Sequence, residues 1–157
     1  MAIQIAVCGP RAATEQDAAN AFQVGALLAE KGAVVICGGG VGVMASVAAG
    51  VKSRGGTVIG IRPTATKEDA SPDLSVTIVT NLGEARNAII VWSADAVIAI
   101  GGSWGTLSEV ALAKRRGDIR VVSLGGWRMI DASGHPVPGI DHADNAEQAV
   151  LLALENL

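Results

Sequence analysis

Two glycine-rich segments carry the residues best suited to chemistry. They are Gly38-Gly39-Gly40-Val41-Gly42-Val43-Met44 and Gly101-Gly102-Ser103-Trp104-Gly105-Thr106-Leu107-Ser108-Glu109, each placed between a short apolar run and a stretch of helical character. Such a loop, leaving a strand, lets backbone N–H groups converge on an anion, and the following helix adds the positive end of its dipole. Two phosphate cradles are therefore expected. They are not equivalent, because Ser46 of the first copy stands where the second has Glu109. Glu109 is expected on the first turn after Gly105, where the dipole favours its ionised form and where it faces a ligand; its plainer reading is a carboxylate that only stabilises the helix. Arg86, the basic residue of Gly83-Glu84-Ala85-Arg86-Asn87, could clamp a phosphate with its planar fork, or could be a solvated helix charge. Ser103 and Thr106 offer hydroxyls as helix caps or as phosphate donors. Trp104, expected in the loop itself, offers a wall for a flat ring or an anchor against a neighbouring subunit.

The same residues exclude other chemistries. A nucleotide-binding P-loop needs Lys and a hydroxyl after its last glycine, but Val43-Met44 follow Gly42 and Thr106-Leu107 follow Gly105. No ATP/Mg site is expected. The dinucleotide fingerprint needs a third glycine where Val43 stands, so NAD is not expected either. Cys8 and Cys37 have no metal-ligand spacing and read as small buried apolar residues, and His135 and His142 fall in no triad or zinc pattern. No metal site is expected.

These loops need elements to hold them. The chain has 157 residues, 50% of them apolar and 20 of them glycine, which suits a single domain, residues 1–157, with helices on both faces of a sheet. Twelve basic and 15 acidic residues give a net charge of −3 with no basic block, so nucleic acid is not an expected partner. Met1 to Val7 has no basic leader before its apolar residues and no stretch is long enough to span a bilayer. A cytoplasmic protein without membrane association is the expectation.

Strands are expected at Ile3–Val7, Val34–Cys37, Thr57–Ile61, Val76–Val79, Ala96–Ile100 and Arg120–Leu124. Helices are expected at 15–31, capped by Thr14 with Ala18, Ala21, Phe22, Gly25, Leu28 and Ala29 on one face, then at 42–54, 83–92, 106–116 and 145–154. Arg62 to Ser75 reads as a mobile polar loop, and Gly125 to Asp141 as irregular with a hairpin near Ser133-Gly134. Strands alternating with helices imply an α/β fold, a doubly wound, mainly parallel Rossmann-like sheet. Its crevice lies at the strand C-termini, where Gly9-Pro10-Arg11, Gly38 to Gly42 with Met44, Asn81 to Asn87, and Gly101 to Thr106 would meet. Within it the second loop, with Trp104, Thr106 and Glu109, is the better main phosphate site, and the first shapes the floor or binds a second part of the ligand.

With these marks together, including Gly55-Gly56, Val58-Ile59-Gly60-Ile61 and Pro63, the chain resembles the LOG-like, DprA/Smf-related Rossmann superfamily, once labelled "possible lysine decarboxylase". In its phosphoribohydrolases, which cleave the N-glycosidic bond of cytokinin nucleoside 5′-monophosphates, the motif is Pro-Gly-Gly-x-Gly-Thr-x-x-Glu with an Arg-Lys pair. That resemblance would make Arg86 and Glu109 catalytic. Here Ile100 replaces the proline and Asn87 the lysine, and the overall run is more similar to the molybdenum cofactor carrier branch. The resemblance then implies binding and protection of a phosphate-bearing planar ligand, molybdenum cofactor, by a homodimer or homotetramer. A phosphoribohydrolase and a nucleotide-sensing module are the alternatives.

Overall fold

The alternation of apolar runs and helices resolves into one parallel sheet in the computed structural model, which describes residues 1–157. Its strands are β1 (Gln4–Cys8), β2 (Val34–Cys37), β3 (Val58–Arg62), β4 (Val76–Val79), β5 (Ala96–Ile100), β6 (Arg120–Leu124) and β7 (Asp141–Ala143). Their order is β4-β3-β2-β1-β5-β6-β7, and every neighbouring pair is parallel. Helices α1 (Glu15–Glu30), α2 (Val43–Ser53), α3 (Arg86–Trp92) and α4 (Trp104–Arg116) lie in the β1–β2, β2–β3, β4–β5 and β5–β6 crossovers, and α5 (Ala146–Leu154) follows β7. This is an α/β Rossmann-like fold with helices on both faces. No helix is long and apolar enough to cross a membrane.

Burial explains why the strands read as continuous apolar runs, since both faces of the central strands are covered. On one face α1, α2 and α5 pack Val24, Leu28, Val47, Val51 and Val150 onto Ile5, Val7, Val35, Ile98 and Leu124. On the other, α3 and α4 pack Ile90, Val91, Val110 and Ala113 onto Ala6, Ile36, Val97 and Val121. Thr14 closes a capping box on α1, with its hydroxyl accepting from Asp17 N and its own N–H donating to the Asp17 carboxylate, both at 3.1 Å. Such a cap is worth about 1 kcal/mol.

Several expectations change. The last residue of the 125–141 stretch, Asp141, opens a short strand, β7, that pairs with β6. Three residues carry too little periodicity to be seen without that partner strand. The hairpin near Ser133-Gly134 does form, with an antiparallel bridge between Ile130 and Pro136. Phe22 is 45% exposed, and Val24 takes the core place instead. The 83–92 helix begins as a 3₁₀ turn at Gly83–Ala85 before α3. Arg62 ends β3 rather than opening a loop, and the loop beyond it is tied to the first glycine segment by Ser71 N donating to Gly39 O at 3.0 Å.

The small residues of α2 find their partner inside the chain. A Cβ at Gly25 would meet the Val47 carbonyl, and one at Gly50 the Phe22 carbonyl, so α1 and α2 touch backbone to backbone. That close approach fixes where α2, and the glycine loop before it, sit relative to β1.

Candidate functional site

β1 and β5 are neighbours at the centre of the sheet, and the chain leaves them in opposite directions, β1 toward β2 and β5 toward β6. Such a reversal opens a crevice at the strand C-termini. Here the crevice has a volume of about 540 Å³, within the range of small-molecule sites. Of the expected site residues, Gly9, Pro10, Arg11, Gly38, Met44, Arg86, Asn87, Gly102, Ser103, Gly105, Thr106 and Glu109 line it. Both glycine loops therefore face one space. The Gly9 position admits no side chain, because a Cβ there would run into Val43 and lie 2.7 Å from the Ile100 carbonyl.

The two loops end in differently furnished helices. At α2 the Val43 N–H donates to the Pro10 carbonyl at 3.1 Å, and a Cβ at Gly42 would meet the Pro10 and Arg11 carbonyls. Gly42 thus clamps the β1 loop onto the start of α2, and the protein itself occupies that helix end. At α4 the Ser103 side chain caps the helix, accepting from Thr106 N at 3.2 Å and lying 3.0 Å from the Thr106 hydroxyl. The N–H groups of Trp104 and Gly105 have no backbone acceptor, as the first turn of a helix requires. An anion placed there would meet free donors and the positive dipole end.

Trp104 is not in the loop, as the sequence reading had it, but is the first residue of α4, 78% exposed. Ser103 takes the extended cap conformation and so starts the helix two residues earlier. The Trp104 ring meets Trp127 edge to face at 5.1 Å and 80°. Trp127 is a residue the sequence reading missed. It packs over Gly102, where a Cβ would lie 2.5 Å from the indole nitrogen, and nothing in the irregular 125–141 stretch signals that contact. Gly39, Gly40, Gly42, Gly101 and Trp104 lie outside the lining of the crevice; Gly101 lines a small adjoining cavity of about 30 Å³.

Glu109 is deeper than expected. It lies two residues further along α4 than a helix beginning at Thr106 would place it, past the first turn, is 7% exposed, and burial pushes its pKa up to about 7, against the opposing charge of Arg86 and a hydrogen bond with Cys8. The expected downward pull of the dipole does not decide its pKa, which moves upward: desolvation outweighs a dipole that falls off within the first turn. Burial likewise pushes the Cys8 thiol well above its usual range and that of Cys37 to about 11. Both are protonated and unreactive at neutral pH.

Arg86 reaches across the crevice to the first loop. Its Nη1 donates to Gly38 O at 2.8 Å and to the Ile61 carbonyl, so part of its fork is spent holding the ends of β2 and β3 together. Burial lowers its pKa, with Glu109 opposing and Arg62 adding to the shift. Asn87, 6% exposed, donates to the Ser108 hydroxyl at 3.1 Å and ties α3 to α4. Arg62 is the second residue the sequence reading missed in this role. It lines the crevice at 3% exposure, because β3 lies one residue further along the chain than expected, at Val58–Arg62 and not Thr57–Ile61, and no local signal in the sequence marks that shift.

Residues 2–150 match the family model described as LDcluster4, the SLOG cluster4 family. An uncharacterized protein of Archaeoglobus fulgidus is 47% identical over 78% of this chain and 80% of its own length. A probable cytokinin riboside 5′-monophosphate phosphoribohydrolase of Oryza sativa is 37% identical over 54% of this chain, which spans 38% of that protein. Among solved structures, the molybdenum cofactor binding protein of Rippkaea orientalis superposes with a TM-score of 0.85 at 36% identity, over 97% of this chain and 95% of that one. The molybdenum cofactor carrier protein of Chlamydomonas reinhardtii superposes with a TM-score of 0.82 at 29% identity, over 96% and 95%.

Proposed function

This chain belongs to the SLOG cluster4 family, and on that premise we propose that its crevice binds and carries a small molecule whose phosphate is attached to a planar heterocycle, molybdenum cofactor being the leading member of that class. One observation carries the reading. The crevice at the β1/β5 reversal is furnished by an α4 N-terminus with free N–H groups on one side and by Arg86 on the other.

The residues fit such a ligand. Gly102, Ser103 and Gly105 admit a phosphate against the backbone of α4, and Arg11 at the crevice wall supplies a positive charge. Pro10 and Met44 give apolar contact for a flat ring. The Trp104–Trp127 pair stands at the edge of the same loop. Carriage is favoured over hydrolysis because Asn87, where the hydrolase motif has lysine, is committed to Ser108. The reading is of a cytoplasmic homo-oligomer with a small-molecule partner.

The test is retention. Purified protein incubated with molybdenum cofactor should hold it through gel filtration and later restore activity to a cofactor-free molybdoenzyme. Loss of the cofactor on the column would overturn the reading. A second reading has one observation behind it: a Glu109 carboxyl that keeps its proton to near neutrality beside Arg86 could donate to a leaving base. If so, the protein releases base from N6-substituted adenosine monophosphates and Glu109→Gln abolishes the release.

A further inference from the structure

Arg62 is the most buried charged side chain of the molecule, at 3% exposure, and neither the phosphate cradle nor the Arg86–Glu109 pair uses it. It leaves β3 next to the end of β2 and lies along the first glycine loop. A Cβ at Gly40 would be 2.9 Å from its Nη1, and a Cβ at Gly38 would be 2.6 Å from Nη1 of Arg86. Two guanidinium groups thus share one bare loop. A side chain on either glycine would push one of them out of the crevice.

The hydrogen-bond partners of this pair are incomplete. Arg62 donates to Gly38 O at 3.5 Å and to Glu68 O at 3.4 Å, both at the outer limit of a hydrogen bond. The Nε atoms of Arg62 and Arg86 are buried without any partner, and neither residue belongs to an ion pair. Holding a buried and a half-buried guanidinium side by side with unmatched donors is costly unless an anion completes them. Glu109, the nearby acid, keeps its proton up to about pH 7 and offers little compensation below that.

We propose that Arg62 and Arg86 form a second anion subsite on the first glycine loop, which takes a tetrahedral oxyanion group, phosphate or oxometallate, apart from the anion site at the start of α4. Guanidinium forks match the oxygen edges of such groups two at a time. That both anions belong to one ligand rests on the function proposed above: the phosphate sits at α4 and the other anionic end of the cofactor at Arg62. Arg62 then sets specificity for ligands with two anionic ends over a simple nucleoside monophosphate.

The test uses the intact protein with orthophosphate and tungstate as separate probes, read by calorimetric stoichiometry and by melting. Wild type is expected to take two equivalents of oxyanion. Arg62→Met, which keeps the aliphatic length and removes the charge, is expected to take one, with an anion-free melting temperature unchanged or raised. Ser103→Ala weakens the other site only. The probe that still fills the Arg62 site in competition identifies the group it prefers. Two equivalents in Arg62→Met overturn the proposal, as does a lowered anion-free melting temperature with unchanged binding, which would make Arg62 a prop for the loop. Should Arg62→Met not fold, Arg62→Lys decides: about tenfold weaker binding at this site supports the fork, and wild-type affinity overturns it. These probes contain no heterocycle, so failure of cofactor retention with both oxyanion sites intact sinks the functional reading alone. Cofactor retention that is unaffected in Arg62→Met sinks the subsite alone.

Discussion

Glu109 and Arg86 are held by opposite compromises. Glu109 gives up solvation to lie at 7% exposure, and its proton stays on to about pH 7; Arg86 keeps its charge and spends Nη1 on the carbonyls of Gly38 and Ile61. Between pH 4.5 and 7 the folded protein therefore holds a proton that the unfolded chain has released. Stability falls as pH rises through that interval, by at most about 3 kcal/mol, and stays lower above it. Glu109→Gln is expected to flatten this slope and to be the more stable protein at pH 8, which urea unfolding at pH 5 and pH 8 measures. Oxyanion affinity is expected to rise below pH 7 in wild type and not in Glu109→Gln, since protonation removes a negative charge from the crevice. Arg86→Met strips two buried carbonyls of their donor and is expected to cost about 1–3 kcal/mol, together with loss of oxyanion binding at the first loop.

The helix starts make the division between the two loops. α2 begins under the Pro10 carbonyl, so its first donor is already used; α4 begins under its own Ser103 and leaves the Trp104 and Gly105 N–H groups without a backbone acceptor. Ser103→Ala removes the cap and is expected to cost about 1 kcal/mol of stability and to weaken phosphate binding in the same calorimetric titration. The α1–α2 contact is tighter still. Gly50→Ala places a methyl against the Phe22 carbonyl, and the resulting overpacking is expected to cost about 1–3 kcal/mol despite alanine's better helix propensity. Because α2 follows the first glycine loop, this variant should also reduce oxyanion affinity without touching a lining residue.

The face that carries α3 is incompletely covered. Register pairs Val76 with Ile59 and Ile78 with Ile61, which places both on the α3 side of the sheet, where they are 46% and 44% exposed. Leu82, Ile89 and Trp92 add exposed apolar surface on that side. Exposed apolar residues gathered on one side of the sheet are what a second copy of the chain would cover, and a homo-oligomer is expected by light scattering, with Trp92→Glu shifting it toward monomer. On the proposed function, added molybdenum cofactor is expected to raise the melting temperature roughly with the logarithm of its concentration, as any ligand of the folded state alone does; no shift would count against that reading.

The order of elements, the parallel sheet and the convergence of four loop segments were legible from the sequence because strands buried on both faces are continuous apolar runs and glycines punctuate the strand ends. Local signals do not report depth or partners. β7 exists only because β6 offers it an edge, Trp104 starts α4 only because Ser103 turns its hydroxyl back to Thr106, and Arg62 was hidden because a strand's last residue looks like a loop's first. The raised pKa of Glu109 follows from burial by residues distant in sequence. Residue types and spacing fixed which groups could meet an anion; the packing of α3, α4 and β3 around one crevice decided which are free to do so, since donor availability depends on what else the fold has already satisfied.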